Sequence, residues 1–477
     1  MEGSGRIADA LLTLTSDEHQ LMRRFDKPGD EKRSVLIVPP TEYADSCCDK
    51  VPMTQPAAMH EEAIMDETGV LDAVVVGAGW AGLGVSYALA RANMQHCVLE
   101  RGRIGETWRT QRWDSFHFNL PNVYSVMPGD SYDGPSPEGF MTHTEFVTAL
   151  ENYAQRHRLP VRTGANVTKL DSNDGLFRVV TSQQTLHARS VVVASGSLNR
   201  PRRPAAACAS MNVPMQIDAS DYRNADTLPS GAILVIGSAQ SGCQIAEDLI
   251  LAGRETYLAT GHIGRMPRRY REHDITVWMV TAGLFDVPRK DFVDPSGRIA
   301  PRGMLGALHT ISLQSLSAQG VVLLGRFTGV KSGQFSFADD LRENMRFGNE
   351  TSAQLKARID AFIEQNGLNA PPAVEDNAET IAPRLPEKPV LLLDLVERNI
   401  STIIWCTGFE GDFSWIDIPG VLNEQHQPIH EDGIASVPGV YFAGLDFAST
   451  RRSGTLLAVE DEARRFVANM AERRMTR

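Results

Sequence analysis

Two glycine-rich turns of one design occur in this chain of 477 residues, and no other feature constrains its fold as much. The first, Gly77-Ala78-Gly79-Trp80-Ala81-Gly82, follows the apolar run Ala73-Val74-Val75-Val76. The second, Gly237-Ser238-Ala239-Gln240-Ser241-Gly242, follows Ile233-Leu234-Val235-Ile236 and repeats the first 160 positions later. Each reads as a strand, a tight turn and the start of a helix. That geometry turns backbone N–H groups and the positive end of a helix dipole toward a pyrophosphate. One such turn predicts a nucleotide. Two predict a protein that holds two dinucleotides at once, the arrangement in which a flavin takes hydride from a nicotinamide.

The residue types after each turn assign the nucleotides. Glu100 ends the second predicted strand, Cys97-Val98-Leu99-Glu100, 23 positions after Gly77, with Arg101 beside it. A carboxylate there accepts from the ribose hydroxyls and repels a 2′-phosphate, so the first site is expected to take FAD or NAD. In the second unit the strand Thr256-Tyr257-Leu258-Ala259 runs into Thr260-Gly261, with no acid, and Arg265, Arg268, Arg269 and Arg271 crowd in behind it. Arginine binds phosphate bidentately. The second site is therefore expected to take NADPH, with Arg265 and Arg268 on the phosphate. Ala239 stands where the pattern has its middle glycine, the position at which the backbone approaches the pyrophosphate.

Alternation of strands and helices from Leu71 onward gives an α/β fold of two Rossmann-like dinucleotide-binding domains. Residues 1–70 read as a partly ordered extension, 71–200 as the first part of the FAD domain, 201–384 as the NADPH domain with a helical insertion, and 385–477 as the return to the FAD domain. The second domain would thus be inserted into the first. Predicted helices include 146–156, 242–252, 352–365 and 456–474. The boundary near Arg200-Pro201-Arg202-Arg203-Pro204 follows from its prolines.

Composition narrows the function classes. A net charge of −12 argues against a sequence-independent grip on nucleic acid or on an anionic membrane. No apolar run approaches the ~18 residues of a membrane span, and the first residues lack a secretory apolar core. The six cysteines, Cys47, Cys48, Cys97, Cys208, Cys243 and Cys406, include no C-x-x-C and read as reduced thiols of a cytoplasmic protein. No metal-ligand cluster or G-x-S-x-G element is present.

Taken together, these motifs resemble the class B flavoprotein monooxygenases, and within them the bacterial CzcO-like flavoproteins. The carriers are both turns, Gly105-Glu106-Thr107-Trp108-Arg109 through Arg112-Trp113-Asp114-Ser115-Phe116, Ser195-Gly196-Ser197, Asp221-Tyr222-Arg223, Arg268-Arg269-Tyr270-Arg271, Trp405-Cys406-Thr407-Gly408-Phe409 and Tyr441-Phe442-Ala443-Gly444-Leu445. The resemblance runs from about Leu71 to the C-terminus.

It implies FAD and NADPH as cofactors, with O2 and a small molecule as substrates. In the implied mechanism the reduced flavin forms a C4a-(hydro)peroxyflavin that oxygenates a nucleophile, here expected to be an amine or amino acid nitrogen. Trp108 and Arg109 fall at positions near the flavin, although Trp108 reads equally as a core aromatic. Asn122 falls near the flavin–oxygen adduct, or else simply forms a turn. Thr407, Gly408 and Phe409 match a hinge beside the cofactors, and Asp446 is a candidate for the ribityl chain.

Two positions depart from the pattern: Ala239, and Asp218 where relatives carry a histidine. Both are expected to loosen the hold on NADP⁺ and to release some peroxide. Baeyer–Villiger or S-oxygenation, an NADPH oxidase and a non-catalytic flavin-binding protein remain as alternatives. Assembly is left open between one chain and a homodimer.

Overall fold

The computed structural model describes residues 69–205, 215–294, 299, 302–331 and 334–475. The extension expected over residues 1–70 lies almost wholly outside them, as do Cys47, Cys48 and Cys208.

From its first described residues the chain lays down β1 (Ala73–Val76), α1 (Trp80–Arg91) and β2 (His96–Leu99). Then come α2 (His143–Arg156), β3 (Val161–Arg162) and β4 (Val191–Val193). The short strand β5 (Arg200–Pro201) leads into a second unit of β6 (Met215–Asp218), β7 (Ala232–Ile236), α3 (Gln240–Leu251) and β8 (Thr256–Ala259). That unit continues through α4 (Leu313–Gln319), β9 (Val322–Leu324), the 25-residue α5 (Leu341–Gln365) and β10 (Ile400–Trp405). The chain returns through β11 (Phe409–Glu410) to β12 (Val440–Phe442) and ends in α6 (Val459–Met475).

Each unit is built on a parallel sheet. The first has the order β12-β4-β1-β2-β3, extended beyond β12 by the antiparallel pair His430–Glu431 and Ile434–Ala435. The second has the order β6-β10-β7-β8-β9. Their central strands are unbroken apolar runs because helices or loops cover both faces. Val74 and Val75 in one, and Leu234 and Val235 in the other, are wholly buried.

The sheet order corrects the expected boundary at residue 385. β10 lies between β6 and β7, in the centre of the second sheet, so the second domain extends to Trp405. The return occurs at Thr407–Glu410. There β11 pairs antiparallel with β5, so the outgoing and returning strands run side by side. Thr407 Oγ1 donates to the Arg202 carbonyl at 2.6 Å, and Arg202 N–H donates to the Gly408 carbonyl at 2.9 Å. Gly408 itself has φ +98°, which suits glycine at this bend.

Helix starts follow local chemistry. α2 begins three residues before the expected Phe146 because Thr142 and Glu145 form a capping box, with Glu145 N–H on Thr142 Oγ1 and Thr142 N–H on Glu145 Oε2. α6 packs on α1 through glycine: a Cβ on Gly84 would run into Val459.

Candidate functional site

The two turns have the same build. Gly77 and Gly237 both have φ +110°, in the left-handed region. A Cβ on Gly77 would collide with the Ala194 carbonyl at the end of β4, and one on Gly237 with the Cys406 carbonyl at the end of β10. A Cβ on Gly82 or Gly242 would strike the carbonyl of its own turn's first glycine. These four glycines are therefore required by the protein's own packing.

The middle position differs. Gly79 has φ −83° and ψ −175°, and a Cβ there would meet nothing within 4 Å. Ala239 has nearly the same backbone, φ −77° and ψ −168°. The alanine thus sits without strain, and only a bound ligand could sense its methyl group.

Around the first turn the polar atoms fit a nucleotide. Glu100 is buried, and its carboxylate accepts from the N–H of Ala78 at 2.8 Å and of Gly102 at 2.8 Å. This fixes the acid against the turn at the place where the ribose is expected. Arg101 is exposed beside it. Among the buried side-chain atoms of the described residues that have no hydrogen-bond partner are three oxygens: Ser195 Oγ beyond β4, Glu462 Oε1 in the first turn of α6, and Asn122 Oδ1. Buried polar atoms are nearly always paired, so these orphans mark where a ligand's donors belong. Together with the open space over Gly79, they show that the residues present fit FAD. Ser195 and Glu462 were not singled out as site residues from sequence. A glutamate in the buried first turn of the last helix was the signal available for Glu462.

Glu462 Oε2 accepts from Gly444 N–H at 3.0 Å, and Gly444 lies against Trp80 and Ala81 of the first turn. Burial pushes the Glu462 carboxyl from its ordinary 4.5 up to about 7. The folded protein therefore holds a proton that the unfolded chain has lost across that window. Stability should fall as the pH rises from about 4.5 to about 7. Melting temperatures of wild type and Glu462→Gln across this range test it. The glutamine variant should lose this component of the slope, and equal slopes would refute it.

Other expected residues are placed differently. Asn122 begins a 3-10 turn, and its Nδ2 donates to the Ser136 carbonyl at 3.0 Å, leaving Oδ1 free for a ligand. Arg109 is tied to Glu151 of α2 at 2.5 Å and to the Ile104 carbonyl at 3.3 Å. In this partly exposed pairing the guanidinium is turned to α2 and to its own loop. Trp108 lies among Phe116, Phe118 and Phe146, with centroids 6.0, 4.7 and 5.3 Å away, under the Arg112 guanidinium. It is partly buried and packs against the core. Asp446 pairs with Arg302 of the second domain at 3.1 Å.

At the second turn Thr260 occupies the place of Glu100, the same 23 positions after its first glycine, and is buried. Gly261 N–H donates to Ser238 Oγ at 2.9 Å, echoing the bond from Gly102 to Glu100. Arg265 and Arg268, expected on a phosphate, are both buried and engaged. Arg265 bonds Glu379 at 2.6 Å and Asn349 at 2.9 Å. Arg268, 1% exposed, pairs with Asp274 at 2.5 Å and donates to the carbonyls of Asn119 and Gly306, both at 3.1 Å. Their guanidinium groups hold the fold, which overturns the phosphate assignment. The group exposed directly after Gly261 is His262, whose ring stacks on Phe347 at 3.7 Å.

Asp218 is also neutralised, by a bidentate pair with Arg203 at 2.7 and 2.9 Å, so it adds no bare charge. Gln240 and Gln244 of α3 bond Asn119 at 3.0 and 3.1 Å, which joins the second turn's helix to the first domain three residues before Asn122. Ser241 follows Gln240 on the first turn of that helix, partly exposed.

Comparison with known proteins agrees with this architecture. A family described as pyridine nucleotide-disulphide oxidoreductase matches residues 74–279. The CzcO-like oxidoreductase of Geobacillus kaustophilus is 30% identical over 396 residues, covering 83% of this chain and 96% of that protein. The chain belongs to the class B flavoprotein monooxygenases, with the CzcO-like oxidoreductases. The cofactors of that family are FAD and NADPH, the pair expected from the sequence. The indole-3-pyruvate monooxygenase YUCCA1 of Oryza sativa subsp. japonica is 27% identical over 333 residues, covering 65% of this chain and 80% of that one. A flavin-containing monooxygenase from Stenotrophomonas maltophilia shares the fold, with a TM-score of 0.56 at 20% identity over 85% of this chain and 99% of the other. No helix among the described residues is long and apolar enough to cross a membrane, and no group of side chains among them could hold a metal ion.

Proposed function

We propose that this flavoprotein is an NADPH- and O2-dependent monooxygenase acting on a small nucleophilic molecule, with an amine or amino acid nitrogen as the first candidate. The observation that carries the reading is the pair of equivalent nucleotide turns, one with a carboxylate after its second strand and one with a neutral threonine. FAD would lie on Gly77, Gly79 and Gly82 with Glu100 toward its ribose, and would supply hydride acceptance and oxygen activation. NADPH would lie on Gly237, Gln240 and Gly242. The protein's part is to orient and to exclude water. Asn119, Gln240, Gln244 and Arg268 hold the two domains together, and Asn122 Oδ1 and Ser195 Oγ offer acceptors to donors on the flavin side.

The family description also covers disulphide reduction, and the three cysteines among the described residues do not favour it. Cys97, Cys243 and Cys406 are all buried, and burial pushes the Cys243 thiol up to about 12. Redox thiols are accessible and acidic. A second reading, oxygenation of a 2-oxo acid, is favoured by the likeness to the rice indole-3-pyruvate monooxygenase.

Oxygen uptake and NADPH oxidation by the FAD-loaded protein, screened over amines, thioethers and 2-oxo acids with product masses, test the proposal. Substrate-dependent NADPH consumption with a product 16 mass units heavier supports oxygenation. Full recovery of the electrons as hydrogen peroxide with every substrate would refute it. NADPH should surpass NADH in kcat/KM. His262→Ala should raise KM for NADPH about 10-fold and leave NADH unchanged, as loss of one charge-assisted contact implies.

A further inference from the structure

The seam between the loop 446–454, which follows β12, and residues 285–294 and Arg302 of the second domain is unusually rich in arginine. Arg289 N–H donates to the Ser449 carbonyl at 2.8 Å, and its Nη1 to the Phe447 carbonyl at 2.8 Å. Arg302 donates to the carbonyls of Arg451 at 2.9 Å and Ser453 at 2.6 Å and pairs with Asp446. Arg452 bonds Asp286 at 2.9 Å. Each of these three guanidinium groups has an acceptor.

Arg451 differs. Its backbone is held from both sides, N–H on the Val287 carbonyl and C=O under Arg302. Its guanidinium lies 5.0 Å over the Phe292 ring, and the charges that bear on it among the described residues are those of Arg358 and Arg302, both of like sign. The group is partly buried, and burial pushes its pKa down to about 10, with Arg358 and Arg302 adding like charge. A partly buried cation facing other cations is costly to keep without an anion. Phe292 is itself buried and packs edge-on against Phe447 at 5.4 Å, so an apolar wall adjoins the charge.

The seam also adjoins the cofactor site. Loop 446–454 begins two residues after Gly444, which touches Trp80 and Ala81 of the first turn, and ends five residues before α6, whose Glu462 bonds Gly444.

We propose that Arg451, backed by Phe292, is the carboxylate-binding residue of the substrate site, and that the substrate is a small organic acid carrying an apolar group, such as an amino acid or a 2-oxo acid. Bidentate N–H donation from Arg451 to the carboxylate would neutralise the group and orient the reacting end of the molecule toward the seam between the domains. This rests on the monooxygenase reading for the word substrate, whereas the binding itself does not need turnover.

The test is calorimetric titration of the FAD-loaded protein with phenylacetate and with phenylacetamide, its neutral counterpart. Wild type should bind the carboxylate at least 10-fold tighter. Arg451→Gln should abolish the preference, and Arg451→Lys should restore part of it. Flavin absorbance and melting temperature identify any variant that has failed to fold, in which case the lysine variant carries the comparison. Equal binding of the two probes by wild type, or an undiminished preference in a folded Arg451 variant, would overturn the inference. Wild-type NADPH oxidation, measured separately, decides the oxygenase reading, so the two can fail independently.

Discussion

Gly82→Ala should give protein that carries no flavin after gel filtration and that melts well below wild type. The added methyl group has no room, because it would fall on the Gly77 carbonyl, and Gly77 is itself held at φ +110° against the end of β4. Relief requires the helix α1 to move off the sheet. Overpacking of this kind costs about 1–3 kcal/mol or more, and the shift also pulls the N–H groups of the turn away from the ligand. Gly79→Ala is the control. Its backbone is ordinary and its surroundings are open, so it should keep the melting temperature and lose only flavin affinity. The second turn already carries that change as Ala239. Ala239→Gly should therefore leave the fold almost intact, lowering stability by about 0.5–1 kcal/mol through the freer unfolded chain, while lowering KM for NADPH. Should Gly82→Ala bind flavin normally with an unchanged melting temperature, this account of the turn is wrong.

Arg268→Met should lower stability by about 3–5 kcal/mol, the cost of leaving a buried partner charge unpaired. The partner is Asp274, wholly buried, whose Oδ1 accepts from Arg268 Nη2 at 2.6 Å and also caps the following helix by accepting from Thr276 N–H at 2.8 Å. The carbonyls of Asn119 and Gly306 lose donors as well, so the contact between the domains loosens with the core. Chemical denaturation measures the loss. The ratio of NADPH to NADH efficiency in whatever folds should stay as in wild type, because the guanidinium faces inward. A stable variant with a selective rise in KM for NADPH would return Arg268 to the coenzyme site. Arg269, exposed and paired with Glu138 at 3.0 Å, should be nearly silent when replaced, as exposed pairs contribute little.

The sequence by itself determined the two nucleotide turns, because their requirements are local. An apolar run, glycines at the first and sixth positions of the turn, and a residue 23 positions after the first glycine all lie within one strand–turn–helix–strand unit. Those steric demands appear in the structure at Gly77, Gly82, Gly237 and Gly242. Membership of the flavoprotein monooxygenases was legible for the same reason. The capping box at Thr142 and Glu145, which the helix expected from residue 146 leaves out, moves the start of α2 by one turn.

Only the tertiary structure decided the rest. Whether Arg265, Arg268 and Arg109 meet a phosphate or a carboxylate depends on Glu379, Asp274 and Glu151; Glu379 and Glu151 are remote in sequence, and Asp274, though only six residues from Arg268, meets it through a tertiary turn. The inserted domain's true end was hidden because β10 pairs with strands nearly 170 residues earlier, a register that no local pattern encodes. The like-charged surroundings of Arg451 and the orphaned oxygens of Ser195, Asn122 and Glu462 are likewise properties of what surrounds them. Burial and pairing are set by the fold as a whole, and a residue type states only what a side chain can do once it is placed.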